Sequence, residues 1–139
     1  MRRDLQPSDL GDLLELPLVA VLATYRRDGS VLLAPVWHRW RDGGFDISTN
    51  LADVKVRNLR RDPRASILVY EHVPPYRGIE LRTEPALLTE GQPETGREIA
   101  VHYLGSEEGE AWAAGAEDDV VLRLEPGVVR AWDFSDDFS

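Results

Sequence analysis

The chain has 139 residues, no cysteine and a formal net charge of -9, and its length suits one domain, residues 1–139, with a single core. Without cysteine there is no disulfide, no thiol nucleophile and no thiolate metal site. The acidity argues against nucleic-acid binding, because surfaces that bind nucleic acids are basic.

The sequence contains no stretch that predicts a membrane segment. Its longest apolar run, Leu18–Ala23, is far too short to span a bilayer. The opening Met1-Arg2-Arg3 is followed by Asp4 instead of an apolar region, which is not typical of a secretory signal. We therefore expect a cytoplasmic bacterial protein without a membrane partner.

The first third of the chain predicts one short helix and three strands. Ser8 is a candidate N-cap for a helix that Pro17 ends. An Asp-Gly turn at Asp28-Gly29 predicts a hairpin, and Gly43-Gly44 a second turn. The three predicted strands are Leu18–Tyr25, whose lack of polar alternation predicts burial on both faces, Val31–Arg39 and Phe45–Thr49.

A short helix is predicted over Asp53–Arg61, with Asp53 as its N-cap. Val56 and Leu59 are spaced to face the core, while Lys55 and Asn58 share another side. The helix should end at Asp62, because the residue before a proline is disfavoured in helical conformation.

The remaining chain adds four strands and a helical region, so the fold class is mainly β. Six or seven strands, mostly joined by hairpins, predict a small antiparallel barrel with peripheral helices. The predicted elements are the strands Ala65–Tyr70, Ile79–Thr89 (with a bulge or edge at Pro85), Val120–Leu124 and Val128–Phe134, a rigid loop Val73–Tyr76, and a helix Pro93–Leu104 ending at Gly105 and extended by Glu107–Ala114.

Lys55 is the only lysine in a chain that otherwise uses arginine fifteen times. A cation in the first turn of a helix is unfavourable by about 0.3–1 kcal/mol, whereas an anion bound there reverses the sign. Five basic and two acidic residues give the segment 53–64 a local charge of +3. With the hydroxyls of Ser48 and Thr49 just before the helix, two interpretations have similar weight: a phosphate site, or a surface helix with solvated arginines.

Other catalytic patterns are missing from the sequence. It has no G-x-G-x-x-G, no P-loop and no nucleophile elbow. The three histidines, His38, His72 and His102, are far apart along the chain, and we predict no metal site. No residue is assigned as catalytic.

The segment Ser48–Val69 resembles the phosphate-binding segment of the pyridoxamine 5'-phosphate oxidase-like superfamily, the flavin-binding split barrels. The shared pattern is a strand ending in Thr-Asn, then a lysine, Asn-Leu, Asp-Pro-Arg and another strand. Leu18–Tyr25 with Ala34–Trp37 is similar to the first hairpin of these proteins. Pro75-Tyr76 and Val129–Phe134 are similar to the actinobacterial branch that uses flavin or the deazaflavin coenzyme F420.

The resemblance implies an FMN-binding split barrel with antiparallel, Greek-key-like strands. It implies a homodimer that holds F420 or FMN at the subunit interface and transfers hydride to or from a small organic substrate. Two alternatives stay open. One is a non-catalytic protein that binds or sequesters flavin or haem, and the other is a barrel without a ligand, in which Trp37, His38 and Tyr76 only pack.

Ten residues are implied as cofactor contacts. Lys55 matches the phosphate-binding lysine, with Ser48 and Thr49 at the strand end, and Arg57 adds charge near the phosphate or a polyglutamate tail. The others are the strand along the isoalloxazine ring, Ala34, Pro35, Val36 and Trp37, and the residues Tyr76 and Arg77, where the family places a polar contact from the other subunit.

Two further points concern the cofactor pocket. Val54 stands where flavin-using relatives often have an arginine, which favours F420 over FMN. Arg130 and Trp132 are candidate contacts to the ring or the substrate, although barrel closure is the favoured role for both.

Overall fold

The computed structural model describes residues 1–90, 92–116 and 119–138. Within these residues nine strands form two antiparallel sheets. The strands are β1 Ala20–Tyr25, β2 Val31–Val36, β3 Arg39–Arg41, β4 Gly44–Asn50, β5 Ala65–Tyr70, β6 Gly78–Thr83, β7 Ala86–Leu88, β8 Asp119–Leu124 and β9 Val128–Trp132.

The two sheets have the orders β2-β1-β5-β6-β9 and β3-β4-β8-β7. They pack against each other without joining into one closed barrel among the described strands, so the arrangement is a split barrel, and the predicted mainly β fold is confirmed. Two predicted strands are each divided, because the chain crosses from one sheet to the other at Trp37-His38 and at Glu84-Pro85. Pro85 cannot donate to a sheet, which makes it a natural point of crossing.

The core lies between the two sheets. In β1, Ala20, Leu22 and Thr24 are buried, while the alternate residues are only partly covered. The expectation that both faces of this strand are buried is therefore wrong for a single chain: its outer face is left half exposed. The fully enclosed apolar side chains include Leu10, Leu13, Leu22, Phe45, Ile67, Ile79, Leu81, Leu122 and Leu124.

The N-terminal segment is not the helix predicted from Ser8. It consists of two 3-10 turns, Pro7–Leu10 and Leu13–Glu15. Asp9 closes the first turn by accepting the backbone N–H of Gln6 at 2.8 Å. The apolar spacing did identify residues that pack in the core, since Leu10 and Leu13 are buried. A continuous helix does not form because Gly11, at a φ of 62°, interrupts it.

Helix α1, Val54–Arg61, begins at the predicted N-cap Asp53 and ends before Asp62. Val56 is buried and Leu59 packs on the core, as expected. Asn58 is the exception: it is buried with Val56 and donates through Nδ2 to Thr24 Oγ1 at 3.1 Å. The amide thus ties the helix to β1, which spacing alone did not predict.

Two helices form a hairpin against the four-stranded sheet: α2, Gln92–Leu104, and α3, Ser106–Ala114. Gly105 separates them with a φ of 87°, and a side chain at Gly109 would lie 2.4 Å from Val101 Cα. Arg39 pairs with Asp46 at 2.9 Å and also with Glu98, which joins β3, β4 and α2. None of the helices in the described ranges has the length and apolar content needed to cross a membrane.

Candidate functional site

A cavity of about 700 Å³ lies between the outer face of β4 and the α2–α3 hairpin. Three predicted cofactor contacts line it: Trp37, Ser48 and Thr49. The opposite wall consists mainly of small or apolar residues of the helices and of the segment that follows them: Gly96, Ile99, Ala100, Ala111, Trp112, Ala113, Gly115 and Ala116. The cavity therefore combines an apolar interior with hydroxyl groups at a strand end.

Trp37 forms a fixed aromatic wall of this cavity. Its ring stacks on Tyr103 with centroids 5.0 Å apart and an interplanar angle of 11°, and Trp112 lies against it at 5.6 Å. The Tyr103 hydroxyl donates to the Leu18 carbonyl at 2.7 Å and accepts the backbone N–H of His38 at 3.0 Å. Burial raises the pKa of Tyr103 to about 12, so the hydroxyl stays protonated and holds the stack in place.

Ser48 faces the cavity because of the alternation along β4. Phe45, Ile47 and Thr49 turn toward the core, whereas Ser48 is only partly covered. Gly96 of α2 lies directly opposite, and a Cβ there would come within 2.9 Å of Ser48 Oγ. The glycine therefore allows α2 to pack closely against the Ser48 hydroxyl.

Lys55 lies just beyond the end of β4 but is not among the residues that line the cavity. The turn that joins β4 to α1 is fixed by Asn50, whose Oδ1 accepts the Ala52 N–H at 2.8 Å. The Lys55 ammonium is 3.0 Å from Asp53 Oδ1, and the lysine side chain is 12% exposed. Asp53 thus supplies the negative charge that offsets the unfavourable position of this cation at the start of the helix.

The Lys55–Asp53 pair also controls the ionisation of the carboxylate. Burial by itself raises the pKa of Asp53, but the hydrogen bonds from Lys55 and the charges of Lys55 and Arg57 outweigh it. The pKa of Asp53 consequently lies below its ordinary value, so the carboxylate is ionised at neutral pH.

Arg57 is exposed on α1, on a different side of the helix from Lys55. It lines a separate concave surface with Arg27, Arg60 and Arg61. Val54 lines the same surface. Because the residue before Lys55 is this valine, Lys55 has no second basic residue directly before it at the start of the helix.

The strand predicted to run along the ring, Ala34 to Trp37, is divided between two environments. Ala34 packs against the core and Val36 is buried, while Pro35 is exposed on the outer face of β2, an edge strand. Only Trp37, beyond the end of β2, reaches the cavity.

Tyr76 and Arg77 lie apart from this cavity within one chain. Tyr76 is 40% exposed beside an apolar hollow of about 390 Å³ that also contains Tyr70 and Trp132. Arg77 donates to Glu71 through Nε at 2.6 Å, to Asp12 at 2.9 Å and to the Leu10 carbonyl at 2.8 Å. The hydrogen bond from the Arg77 side chain, helped by one from its backbone N–H, lowers the pKa of Glu71 against the opposing effect of burial.

Arg130 and Trp132 have packing roles in the sheet. The Arg130 guanidinium lies 4.6 Å from the centre of the Trp132 ring and 3.3 Å from Glu80. Trp132 covers Gly78 of the neighbouring strand so closely that a Cβ there would be 2.2 Å from the ring. These contacts agree with the favoured role in closing the sheet.

His38 is a buried imidazole that the sequence did not single out for burial. It is 1% exposed, packs edge-on against Phe45 at 5.2 Å, and neither ring nitrogen has a hydrogen-bond partner of good geometry in the described chain. Burial, and to a smaller degree the charge of His102, lowers its pKa to about 4, with the Leu18 carbonyl opposing part of the shift. His38 is therefore neutral at physiological pH.

Sequence reasoning missed the helical wall of the cavity, above all Trp112. This tryptophan is 64% exposed and contacts Trp37 from α3. The available signal was a single large aromatic residue in a run of Glu, Gly and Ala that offers no apolar face for it.

The chain matches the sequence model of the pyridoxamine 5'-phosphate oxidase family over residues 8–133, and it belongs to that family. The resemblance predicted from Ser48–Val69 is therefore confirmed. Membership agrees with the two-sheet architecture.

Solved structures show the same fold. A conserved hypothetical protein from Mycobacterium tuberculosis is 24% identical with a TM-score of 0.77, over 94% of this chain and 86% of that one. An F420 reductase is 22% identical with a TM-score of 0.73, over 89% of this chain and 98% of that one. A FAD-binding protein from Mesorhizobium loti is 22% identical with a TM-score of 0.69, over 94% and 95% of the two chains.

Proposed function

We propose that this protein is a homodimeric oxidoreductase that binds coenzyme F420, or FMN in its place, and transfers hydride to or from a small organic substrate. The observation that carries the proposal is the junction at the end of β4. There a cavity walled by Trp37 and bearing Ser48 lies next to the turn that leads to Lys55.

The residues present fit a cofactor with a planar ring system and a phosphate. A volume of about 700 Å³ falls in the range of small-molecule and cofactor sites. Trp37 provides a flat, immobile surface for a ring, and the Ser48 hydroxyl, with the end of β4 at Thr49, provides polar contacts at its edge. Lys55 provides the positive charge for a phosphate, which would share the ammonium with Asp53.

A bound flavin or deazaflavin supplies the hydride chemistry itself. The residues of this chain bind and orient it and exclude water from the ring. The Tyr103 hydroxyl acts indirectly. Its hydrogen bonds with Leu18 and His38 fix the tyrosine ring, which stacks on Trp37 and holds it in position. No side chain is assigned as a general acid.

A second copy of the chain is the proposed partner for the outer face of the five-stranded sheet. This face bears Val31 and Leu33, which are 44% and 65% exposed, and the half-covered Val21, Leu68 and Tyr70. A contiguous apolar surface of this kind is typical of a protein–protein interface. In the proposed dimer Tyr76 and Arg77 contribute to the partner's site, which explains why they lie away from their own cavity.

F420 is favoured over FMN by the charge distribution on α1. With valine at position 54, the start of the helix has no second cation to bind a phosphate. Arg57, Arg60 and Arg61, by contrast, would place positive charge near the anionic tail of F420. The similarity to an F420 reductase supports the same choice. The substrate is a small organic molecule that fits beside the ring in the cavity.

Titration of the purified protein with F420 and with FMN, followed by cofactor fluorescence, tests the proposal. We expect tighter binding of F420, followed by reduction or oxidation of the bound cofactor when a small acceptor or donor is added. A cofactor that binds but cannot be turned over by any acceptor or donor would instead support a flavin carrier. Failure of both cofactors to bind would contradict the assignment.

A further inference from the structure

Four arginines surround one concave surface at the side of α1. Arg57, Arg60 and Arg61 come from the helix, and Arg27 comes from the turn between β1 and β2. The space that they line is about 540 Å³. Lys55 does not line this surface, so it is separate from the proposed phosphate position.

Most of this charge is not neutralised. In the part of the chain that the structure describes, the guanidinium groups of Arg27, Arg57 and Arg60 make no hydrogen bond or ion pair with another residue. The nearby acids have other partners: Asp28 bonds to Ser30, Asp53 to Lys55 and Asp62 to Arg64. Like charges at helical spacings of three and four residues repel each other, and an anion bound among them would relieve that repulsion.

The base of the surface is held rigidly. Arg61 donates to the Tyr25 carbonyl at 2.6 Å and to Asn58 Oδ1 at 3.2 Å, and Asn58 in turn donates to Thr24. Arg61 is therefore anchored, while the guanidinium groups of the other three arginines have no hydrogen-bond or ion-pair partner among the described residues. A fixed base with free donors around it suits a ligand with several anionic groups.

We infer that this arginine surface binds a flexible polyanion, a short chain carrying several phosphate or carboxylate groups. Guanidinium forks bind both groups in a bidentate manner. The net charge of -9 on the whole chain repels a long polyanion, and this favours a short ligand over a nucleic acid. Where the polyanion is the cofactor tail, the inference rests on the proposed function; because the surface is distinct from the cavity and from Lys55, the two proposals can fail separately.

The test uses inorganic tripolyphosphate as the probe, titrated by calorimetry at low salt. We expect the double substitution Arg27→Gln/Arg60→Gln to weaken binding at least about tenfold. The matched control is Arg3→Gln/Arg41→Gln, which removes the same charge from other exposed positions and should change affinity less than about twofold. Equal weakening in both variants, or none in the first, would overturn the inference.

A Lys55→Ala variant separates this surface from the proposed cofactor site. It should keep its affinity for tripolyphosphate while losing affinity for F420 or FMN. If Lys55→Ala abolishes tripolyphosphate binding and Arg27→Gln/Arg60→Gln does not, the probe binds at Lys55 and the inference fails. Tighter binding of a single-stranded oligonucleotide than of tripolyphosphate would also overturn it.

The source of the polyanion is distinguished by comparing F420 with and without its polyglutamate tail. If the tail improves affinity and Arg27→Gln/Arg60→Gln removes that improvement, the ligand of the arginine surface is the cofactor tail. If the tail has no effect while tripolyphosphate and a free oligoglutamate still bind, the ligand is a free polyanion. Both results support the inference, and they differ in which molecule fills the surface.

Discussion

A single carboxylate oxygen of Asp53 contacts Lys55 twice: it accepts the backbone N–H of Lys55 at 3.1 Å and lies 3.0 Å from the ammonium nitrogen. The cation at the start of α1 is thus balanced within the chain. An arriving phosphate must compete with Asp53 for the ammonium, or share it.

Replacing Lys55 with alanine should lower the affinity for F420 or FMN at least about tenfold, which equals about 1.4 kcal/mol for a charge-assisted contact. Stability should fall by less than about 1 kcal/mol, since the pair with Asp53 is partly exposed. Fluorescence titration and urea unfolding measure the two effects. The matched control is Asp53→Asn, which retains a good helix cap but frees the ammonium. It should preserve or raise cofactor affinity, and a loss as large as that of Lys55→Ala would contradict a phosphate role for the lysine.

Removing the hydroxyl of Tyr103 should destabilise the protein by about 1–3 kcal/mol, because the buried groups it joins lose their partner. In Tyr103→Phe the ring can still stack on Trp37, but it is no longer fixed. Urea unfolding and near-ultraviolet circular dichroism of the tryptophans report both changes. Tyr25→Phe is the control, since its hydroxyl makes no hydrogen bond among the described residues. Equal stability of the two variants would argue against the anchoring role.

Acid should destabilise the protein through His38. Its folded pKa of about 4 is below the ordinary 6.5, so the unfolded chain takes up the proton first as pH falls. The stability associated with the neutral imidazole is intact above pH 6.5 and decreases below it, by about 2 kcal/mol at pH 5. The substitution His38→Leu should flatten this dependence between pH 6.5 and 5. An unchanged slope in that variant, measured by urea unfolding at each pH, would show that other groups cause it.

The contact between α2 and α3 requires a glycine at position 109. A methyl group there would lie 2.4 Å from Val101 Cα, so Gly109→Ala should cost about 1–3 kcal/mol through forced separation of the helices. Gly115→Ala is the control, because its Cβ would be 3.7 Å from the nearest atom. Thermal unfolding compares the two, and equal midpoints would mean that the hairpin adjusts without strain.

A charge at Leu33 should disrupt the proposed dimer. The side chain is 65% exposed on the outer face of β2, so Leu33→Glu should leave the monomer folded while desolvation opposes association. Sedimentation should show a shift from dimer to monomer, with weaker cofactor binding as a consequence. Leu88→Glu, on β7 of the other sheet, is the control and should remain dimeric. A wild-type protein that sediments as a monomer would contradict the dimer directly.

Local patterns predicted the strands, the cap at Asp53 and the strand-end hydroxyls, because each depends on residues close in sequence. They did not predict where Val31–Arg39 divides, since the crossing at Trp37-His38 is decided by pairing with β4. The contact of His38 with Tyr103 and the bond of Arg77 to Asp12 also join distant segments. For the same reason the helical wall with Trp112 was missed: periodicity within α3 says nothing about which sheet it covers.

The position of β8 between β4 and β7 has a consequence for synthesis on the ribosome. Asn50 pairs with Asp119 and Leu88 with Val121. The four-stranded sheet therefore cannot form until β8, which joins β4 to β7, has been synthesised. Until then β4 presents a free edge, and free edges in nascent chains promote aggregation. Pairing over such distances is also slow. Assembly of this sheet is therefore expected to follow synthesis of β8, with the local hairpins of the other sheet forming first.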